Sequence, residues 1–118
     1  MRMRKGKAKM ARRRNRISAA RLAEMVEEAT VDAYDEDEQA TGWFTMFENY
    51  LELPFETDVL GVRVSVTAIE QGDENQIVAV CKRGTKELVV DILELPLPSP
   101  LPEGAVWIEA YRIWLRGR

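Results

Sequence analysis

The sequence predicts an α+β protein, with two N-terminal helices packed on a small antiparallel β-sheet or SH3-like barrel. Apolar residues recur at helical spacing up to Pro54, whereas β-branched residues alternate from Val62 onward. The length of 118 residues and the apolar content of 46% fit one domain. No apolar run approaches the roughly 20 residues that a membrane span requires, so we expect no membrane association. We expect a basic tail over residues 1–16 and a single domain over residues 17–118.

The predicted tail is dominated by lysine and arginine. Ten of the 17 basic residues, nine of them in residues 1–16, precede all 20 acidic residues. This segment has too little apolar surface to offset the entropy of ordering it, so we expect it to be flexible. It also lacks the apolar run of a secretory signal, and we therefore expect a cytoplasmic protein.

The first helix is expected to follow the tail, from about Ala19 to Thr30. Ser18 is a good N-terminal cap for it. Its apolar side chains follow the helical period: Leu22, Met25, Val26 and Ala29.

The second helix is expected to begin at Asp35, because Asp35 and Glu38 have the spacing of a capping box. Five apolar residues then form one stripe: Ala40, Trp43, Phe44, Phe47 and Leu51. Pro54 ends the pattern. The helical part is therefore predicted to occupy about residues 18–52.

The remainder of the chain, about residues 60–116, is expected to be rich in β-structure. Four segments have β-branched or alternating apolar residues: 62–66, 77–80, 88–93 and 106–115. The turn sequences QGDEN and KRGTK separate the first three segments, and Gly84 lies where a tight hairpin needs positive φ. Four prolines between residues 96 and 102 force an extended loop before the last segment, which is predicted to be a final strand.

An acidic cluster occupies the predicted bend between the two helices. Five carboxylates occur in seven residues: Asp32, Asp35, Glu36, Asp37 and Glu38. No lysine or arginine occurs between Arg21 and Arg63 to neutralise them. Their repulsion must be relieved by solvent, by the amides of a helix start or by a bound cation. The cluster thus indicates either a heavily charged helix cap or a calcium site, since calcium takes about six to eight oxygen ligands.

The residue types exclude several kinds of site. The chain has no histidine and only one cysteine, Cys81, so it contains neither an intrachain disulfide nor a zinc site built from histidine and cysteine. The usual members of nucleophile-and-base arrangements are also missing, and we expect no enzymatic activity.

An EF-hand calcium loop is also absent, because that loop needs glycine at its sixth position and glutamate at its twelfth. Counting from Asp35, these positions hold Ala40 and Met46, and counting from Asp32 they hold Asp37 and Trp43. Any calcium site must therefore be of another type.

The region around the acidic cluster resembles a known family, the small CcbP-like calcium-binding proteins of prokaryotes, including cyanobacteria. The shared residues are Val31, Asp32, Ala33, Tyr34, Asp35, Glu38, Gly42, Trp43, Phe44, Glu48, Pro54 and Phe55. The resemblance covers about residues 28–115 and is strongest from 31 to 55. It implies a non-enzymatic calcium-binding protein, of helices packed on a β-structure, that takes part in calcium buffering or signalling.

The resemblance also implies which residues bind calcium. Asp32, Asp35 and Glu38 are the first candidates as ligands, followed by Glu36 and Asp37. Glu48, farther along the same helix, is a further candidate.

Two other functions remain open from the residues alone. The basic tail is suited to nonspecific contact with the phosphates of nucleic acid or of the ribosome, although it has no aromatic residue for base stacking. A solubilising extension is the favoured interpretation of the tail. The third possibility is a metal-free β-barrel interaction module.

Overall fold

The computed structural model describes residues 17–117, and the predicted flexible tail, residues 1–16, lies outside the described residues. The helices are α1 (Ala19–Thr30), α2 (Glu36–Tyr50) and α3 (Val106–Arg116). The strands are β1 (Phe55–Val59), β2 (Val62–Gln71), β3 (Ile77–Arg83) and β4 (Lys86–Asp91). A 3₁₀ turn, Ile92–Glu94, follows β4. Two helices precede a separate sheet, which confirms the predicted α+β class.

The four strands form one antiparallel sheet in the order β1-β2-β3-β4. Each strand pairs with its neighbour in sequence, so the sheet is a meander with β1 and β4 at its edges. The β2–β3 register shifts between Val66 and Ala68, and such bulges increase the local twist of a sheet. Of the two predicted architectures, a small antiparallel sheet or an SH3-like barrel, the strand order shows the antiparallel sheet.

The core lies between one face of the sheet and the helices, and Trp43 of α2 is at the centre of its aromatic part. Trp43 is fully buried. Its ring centroid lies 5.3 Å from that of Tyr111, 5.6 Å from that of Trp114 and 6.2 Å from that of Trp107. These three rings belong to α3, so aromatic packing holds the last helix against α2.

The prediction of a final strand over residues 106–115 is wrong, because this segment forms the helix α3. Its aromatic and β-branched composition favours a strand, but Trp107, Tyr111 and Trp114 are spaced at i, i+4 and i+7. That spacing places all three rings on the side of a helix that faces Trp43. Packing therefore overrides the intrinsic preference of the segment.

The first strand, β1, was not predicted from the sequence. Its residues have only a short alternation, with Thr57 and Val59 buried and Glu56 and Asp58 exposed. It forms because Leu60 and Gly61 make a tight turn that pairs it with β2. The strands therefore extend from residue 55 to residue 91, and not over about residues 60–116.

Gly42 fixes the close approach of α1 and α2. A Cβ at this position would overlap the carbonyl oxygen of Ala29 on α1. Glycine in a helix ordinarily costs stability relative to alanine, so the exchange to alanine would be favourable in the absence of this contact.

We therefore predict that Gly42→Ala lowers the free energy of unfolding by about 1–3 kcal/mol, because the helices must move apart to admit the methyl group. Urea denaturation measures this change. Asn49→Ala, at an exposed position of the same helix, is the control and should change stability by less than about 0.5 kcal/mol. Equal stability of G42A and the wild type would show that the helices are not in close contact here.

Among residues 17–117, none of the helices has the length and apolarity needed to cross a lipid bilayer.

Candidate metal site

The bend between α1 and α2 carries the acidic cluster. α1 ends at Thr30, whose carbonyl oxygen accepts a hydrogen bond from the amide of Ala33 at 3.1 Å. Asp32 adopts a left-handed backbone conformation with φ of 59°, which aspartate tolerates better than most residues. The chain thereby reverses direction in a short segment, and the side chain of Asp32 is exposed to solvent.

Asp35 and Glu38 form the capping box that the sequence predicts. Asp35 Oδ1 accepts a hydrogen bond from the Glu38 amide at 2.8 Å. Glu38 Oε1 accepts from the amides of Tyr34 at 2.7 Å and Asp35 at 3.3 Å. Among the described residues these bonds use one oxygen of each carboxylate. Asp35 Oδ2 and Glu38 Oε2 are therefore positioned by the cap and still available to a cation.

Glu36 and Asp37 lie toward the turn between β2 and β3. Asp37 Oδ1 accepts a hydrogen bond of 2.6 Å from Nδ2 of Asn75 in this turn. Glu36 lines a cleft of about 240 Å³ together with Glu74 and Asp91. The start of α2 thus places part of the acidic cluster beside carboxylates from the sheet.

Glu74 and Asp91 are residues at this cleft that the sequence did not identify. Glu74 is part of the QGDEN segment, which indicated only a turn, and Asp91 ends β4. The acidic composition of QGDEN is a signal, but its position beside Glu36 depends on how α2 packs on the sheet. A single sequence contains no pattern that predicts this contact.

The structure does not gather the candidate ligands into a formed metal site. In the part of the chain from 17 to 117, no three acidic, histidine or cysteine side chains form a group that could hold a metal ion. Glu48 is exposed. It lies ten residues after Glu38 on the same helix, and the helical rise of about 1.5 Å per residue separates the two by about 15 Å along the axis. Glu48 therefore does not share a site with Glu38 in this conformation. The carboxylates of the bend are spread into solvent, which relieves their repulsion.

Within residues 17–117, no basic side chain forms an ion pair with four of the five carboxylates of the bend. The ion pairs in the described region join Arg21 to Glu24 at 3.4 Å, Arg63 to Glu56 and Asp58 at 3.6 and 3.4 Å, and Lys82 to Glu87 at 3.8 Å. None of these pairs includes Asp32, Asp35, Asp37 or Glu38. The available donors are oxygens on exposed side chains, and this donor set suits calcium chemically.

Cys81 is not part of this region. It is buried in β3, and burial raises the pKa of its thiol by desolvation. A neutral, buried thiol is a poor metal ligand and a poor nucleophile.

The chain matches the model of a calcium-binding family, that of CcbP, over residues 23–115. The crystal structure of CcbP from Anabaena has a similar fold, with a TM-score of 0.64 and 19% sequence identity, over 84% of this chain and 92% of that one. A calcium-binding protein in its calcium-binding form is also similar, with a TM-score of 0.67 and 19% identity, over 86% of this chain and 98% of that one. No curated protein matches the sequence.

At 19% identity the two structures show a shared fold, and the family match shows the relationship. It covers most of the chain and includes the bend, α1 from residue 23 onward, all of α2 and the whole sheet. The predicted resemblance is thereby confirmed. The chain belongs to the CcbP family of calcium-binding proteins.

Proposed function

We propose that the protein binds calcium at the bend between α1 and α2, as a calcium buffer or sensor. The proposed ligands are Asp32, Asp35, Glu36, Asp37 and Glu38. The observation that carries the proposal is the capping box, because it fixes Asp35 and Glu38 while leaving Oδ2 and Oε2 without a hydrogen bond among the described residues. These carboxylates lie within the segment that matches the calcium-binding family.

Each part of the bend has a separate role in this proposal. The cap holds Asp35 and Glu38 at the positive end of α2. The left-handed turn at Asp32 brings a third carboxylate into the same short segment. Calcium supplies the positive charge that offsets the repulsion among them. Since no three of these groups converge in the described structure, binding requires a local rearrangement of the bend.

The hydrogen bond from Asn75 to Asp37 links the bend to the sheet. An ion that recruits Asp37 competes with Asn75 for the same carboxylate, so the β2–β3 turn would respond to binding. A response of this kind suits a sensor, whereas a buffer needs no conformational change beyond the ligands themselves. Glu48, far along α2, is a candidate only for a separate ion.

Calorimetric titration with calcium at about 0.15 M salt tests the proposal, because this ionic strength screens nonspecific attraction to exposed charge. We expect saturable binding in the micromolar to low-millimolar range. Magnesium should compete weakly, since it needs a more rigid octahedral set of ligands and gives up water reluctantly. Absence of saturable calcium binding in this range would contradict the proposal.

We also infer that the protein is not an enzyme, which its membership of a calcium-binding family supports. The cytoplasmic location stays a prediction. The alternative role in nucleic-acid or ribosome binding depends on residues 1–16, outside the described part of the chain, and the metal-free interaction module has no support from the family match.

A further inference from the structure

A second surface feature lies at the end of the sheet away from the acidic bend. An apolar groove of about 240 Å³ opens there, and we call it the hairpin-end groove. Its apolar floor includes Val62, Val64 and Leu88, and the exposed Leu60 lies at its edge. The charged residues of its rim are Arg83, Lys86 and Glu87. The residues come from the β1–β2 turn and from strands β2, β3 and β4.

The hairpin-end groove continues the face of the sheet that packs on the helices. Val62, Val64 and Val66 alternate along β2 and so share one face. Val66 is fully buried, whereas Val62 is 42% exposed and Leu88 is 45% exposed. The core face of the sheet therefore extends beyond the helices and leaves apolar side chains in contact with water.

Leu60 is the most unusual residue of this surface. It has φ of 51° and the next residue, Gly61, has φ of 79°. Two such residues make the tight hairpin turn in which asparagine and glycine are preferred, and a leucine is disfavoured at the first position. The side chain is also 95% exposed. Leu60 thus costs stability in its backbone and gains nothing from burial, and strain of this kind is often retained for function.

The rim of the groove carries two cations, Arg83 and Lys86, and one carboxylate, Glu87, on an acidic domain. Residues 17–117 contain seven basic and 20 acidic residues, a net charge of 7 − 20 = −13. Lys82 pairs with Glu87 and Arg63 with Glu56 and Asp58. Among the described residues no carboxylate pairs with Arg83 or Lys86. Since Lys82 offsets the charge of Glu87, the groove combines an apolar floor with two cations that have no carboxylate partner in residues 17–117.

The charge decides between possible occupants. The basic segment 1–16 would bring like charge to Arg83 and Lys86, and two copies joined groove to groove would oppose the same cations. An acidic segment with apolar side chains complements both the floor and the rim. We propose that the hairpin-end groove binds an acidic, apolar segment of a partner protein. This role is independent of calcium binding at the bend.

Fluorescence anisotropy with a labelled peptide of glutamate and leucine tests the proposal, and a lysine–leucine peptide of the same spacing is the charge control. We expect the acidic peptide to bind with a dissociation constant below about 1 mM and the basic one not to bind. L60N should weaken binding about tenfold or more, since it removes the exposed apolar side chain. The double charge reversal R83E/K86E should do the same.

L60N also separates a binding defect from a folding defect. Asparagine tolerates the left-handed conformation, so L60N should raise the midpoint of urea unfolding while it weakens peptide binding. Leu101→Asn, at an exposed leucine outside the groove, should leave peptide binding unchanged.

Four results would overturn the proposal. They are equal peptide affinity of L60N and the wild type, equal binding of both peptides, a self-association that L60N abolishes, and binding to phosphatidylglycerol vesicles without binding to the peptide.

Discussion

Neutralising Asp32, Asp35 and Glu38 together, as D32N/D35N/E38Q, will weaken calcium binding by at least about 100-fold, or roughly 2.7 kcal/mol. Each substitution removes one negative charge and replaces a strong oxygen ligand by a weaker one. The fold should survive, because asparagine remains a good N-cap and glutamine preserves the capping box. Asparagine also tolerates the positive φ of residue 32. Calorimetric titration with calcium measures the loss, and far-UV circular dichroism checks the helices.

A matched variant separates local ligation from a change in net charge. E56Q/D58N/E87Q removes the same number of negative charges from the surface that carries the ion pairs with Arg63 and Lys82. These pairs are exposed and contribute little to stability. We expect the calcium affinity of this variant to stay within about twofold of the wild type, since screening limits distant charges. If both triple variants lost affinity equally, calcium would be held by the overall field and not by the bend.

Trp43→Ala will lower the free energy of unfolding by about 3–5 kcal/mol, the range for removing a buried tryptophan. Trp43 is fully buried and its ring contacts Trp107, Tyr111 and Trp114 of α3. Its indole Nε1 has no hydrogen-bond partner among the described residues, so the loss comes from packing alone. Urea or thermal denaturation measures the change.

Two further variants show whether the loss of stability comes from the buried aromatic ring of Trp43. Trp43→Phe keeps an aromatic ring at the centre of the cluster and should lose less than half as much stability as Trp43→Ala. Tyr34→Ala removes an aromatic side chain that is 84% exposed and should change stability by less than about 0.5 kcal/mol. A small effect of Trp43→Ala would mean that α3 does not depend on this cluster.

The sequence predicts the first half of the fold well because its signals are local. The cap at Ser18 accepts a hydrogen bond from the Arg21 amide, as its position before α1 suggests. The capping box at Asp35 and Glu38 also depends on residues three apart, and it forms as predicted. Interactions of this range can be identified from spacing alone.

The second half is predicted less well because its structure depends on distant contacts. The segment that forms α3 has the composition of a strand, and only its packing against Trp43 selects the helix. Strand β1 depends in the same way on pairing with β2. The candidate site shows the same division, since the acidic bend is visible in the sequence whereas the approach of Glu74 and Asp91 to Glu36 requires the folded sheet.

The central claim is that calcium binds at the bend between α1 and α2, and chemical-shift mapping of backbone amides during a calcium titration tests it most directly. We predict that the largest shifts fall on residues 32–38, with a smaller response at Asn75 through its hydrogen bond to Asp37. Residues 60–61 and 83–86, at the opposite end of the sheet, should be unaffected. Saturable binding whose shifts lie elsewhere, with the amides of 32–38 unchanged, would contradict the claim.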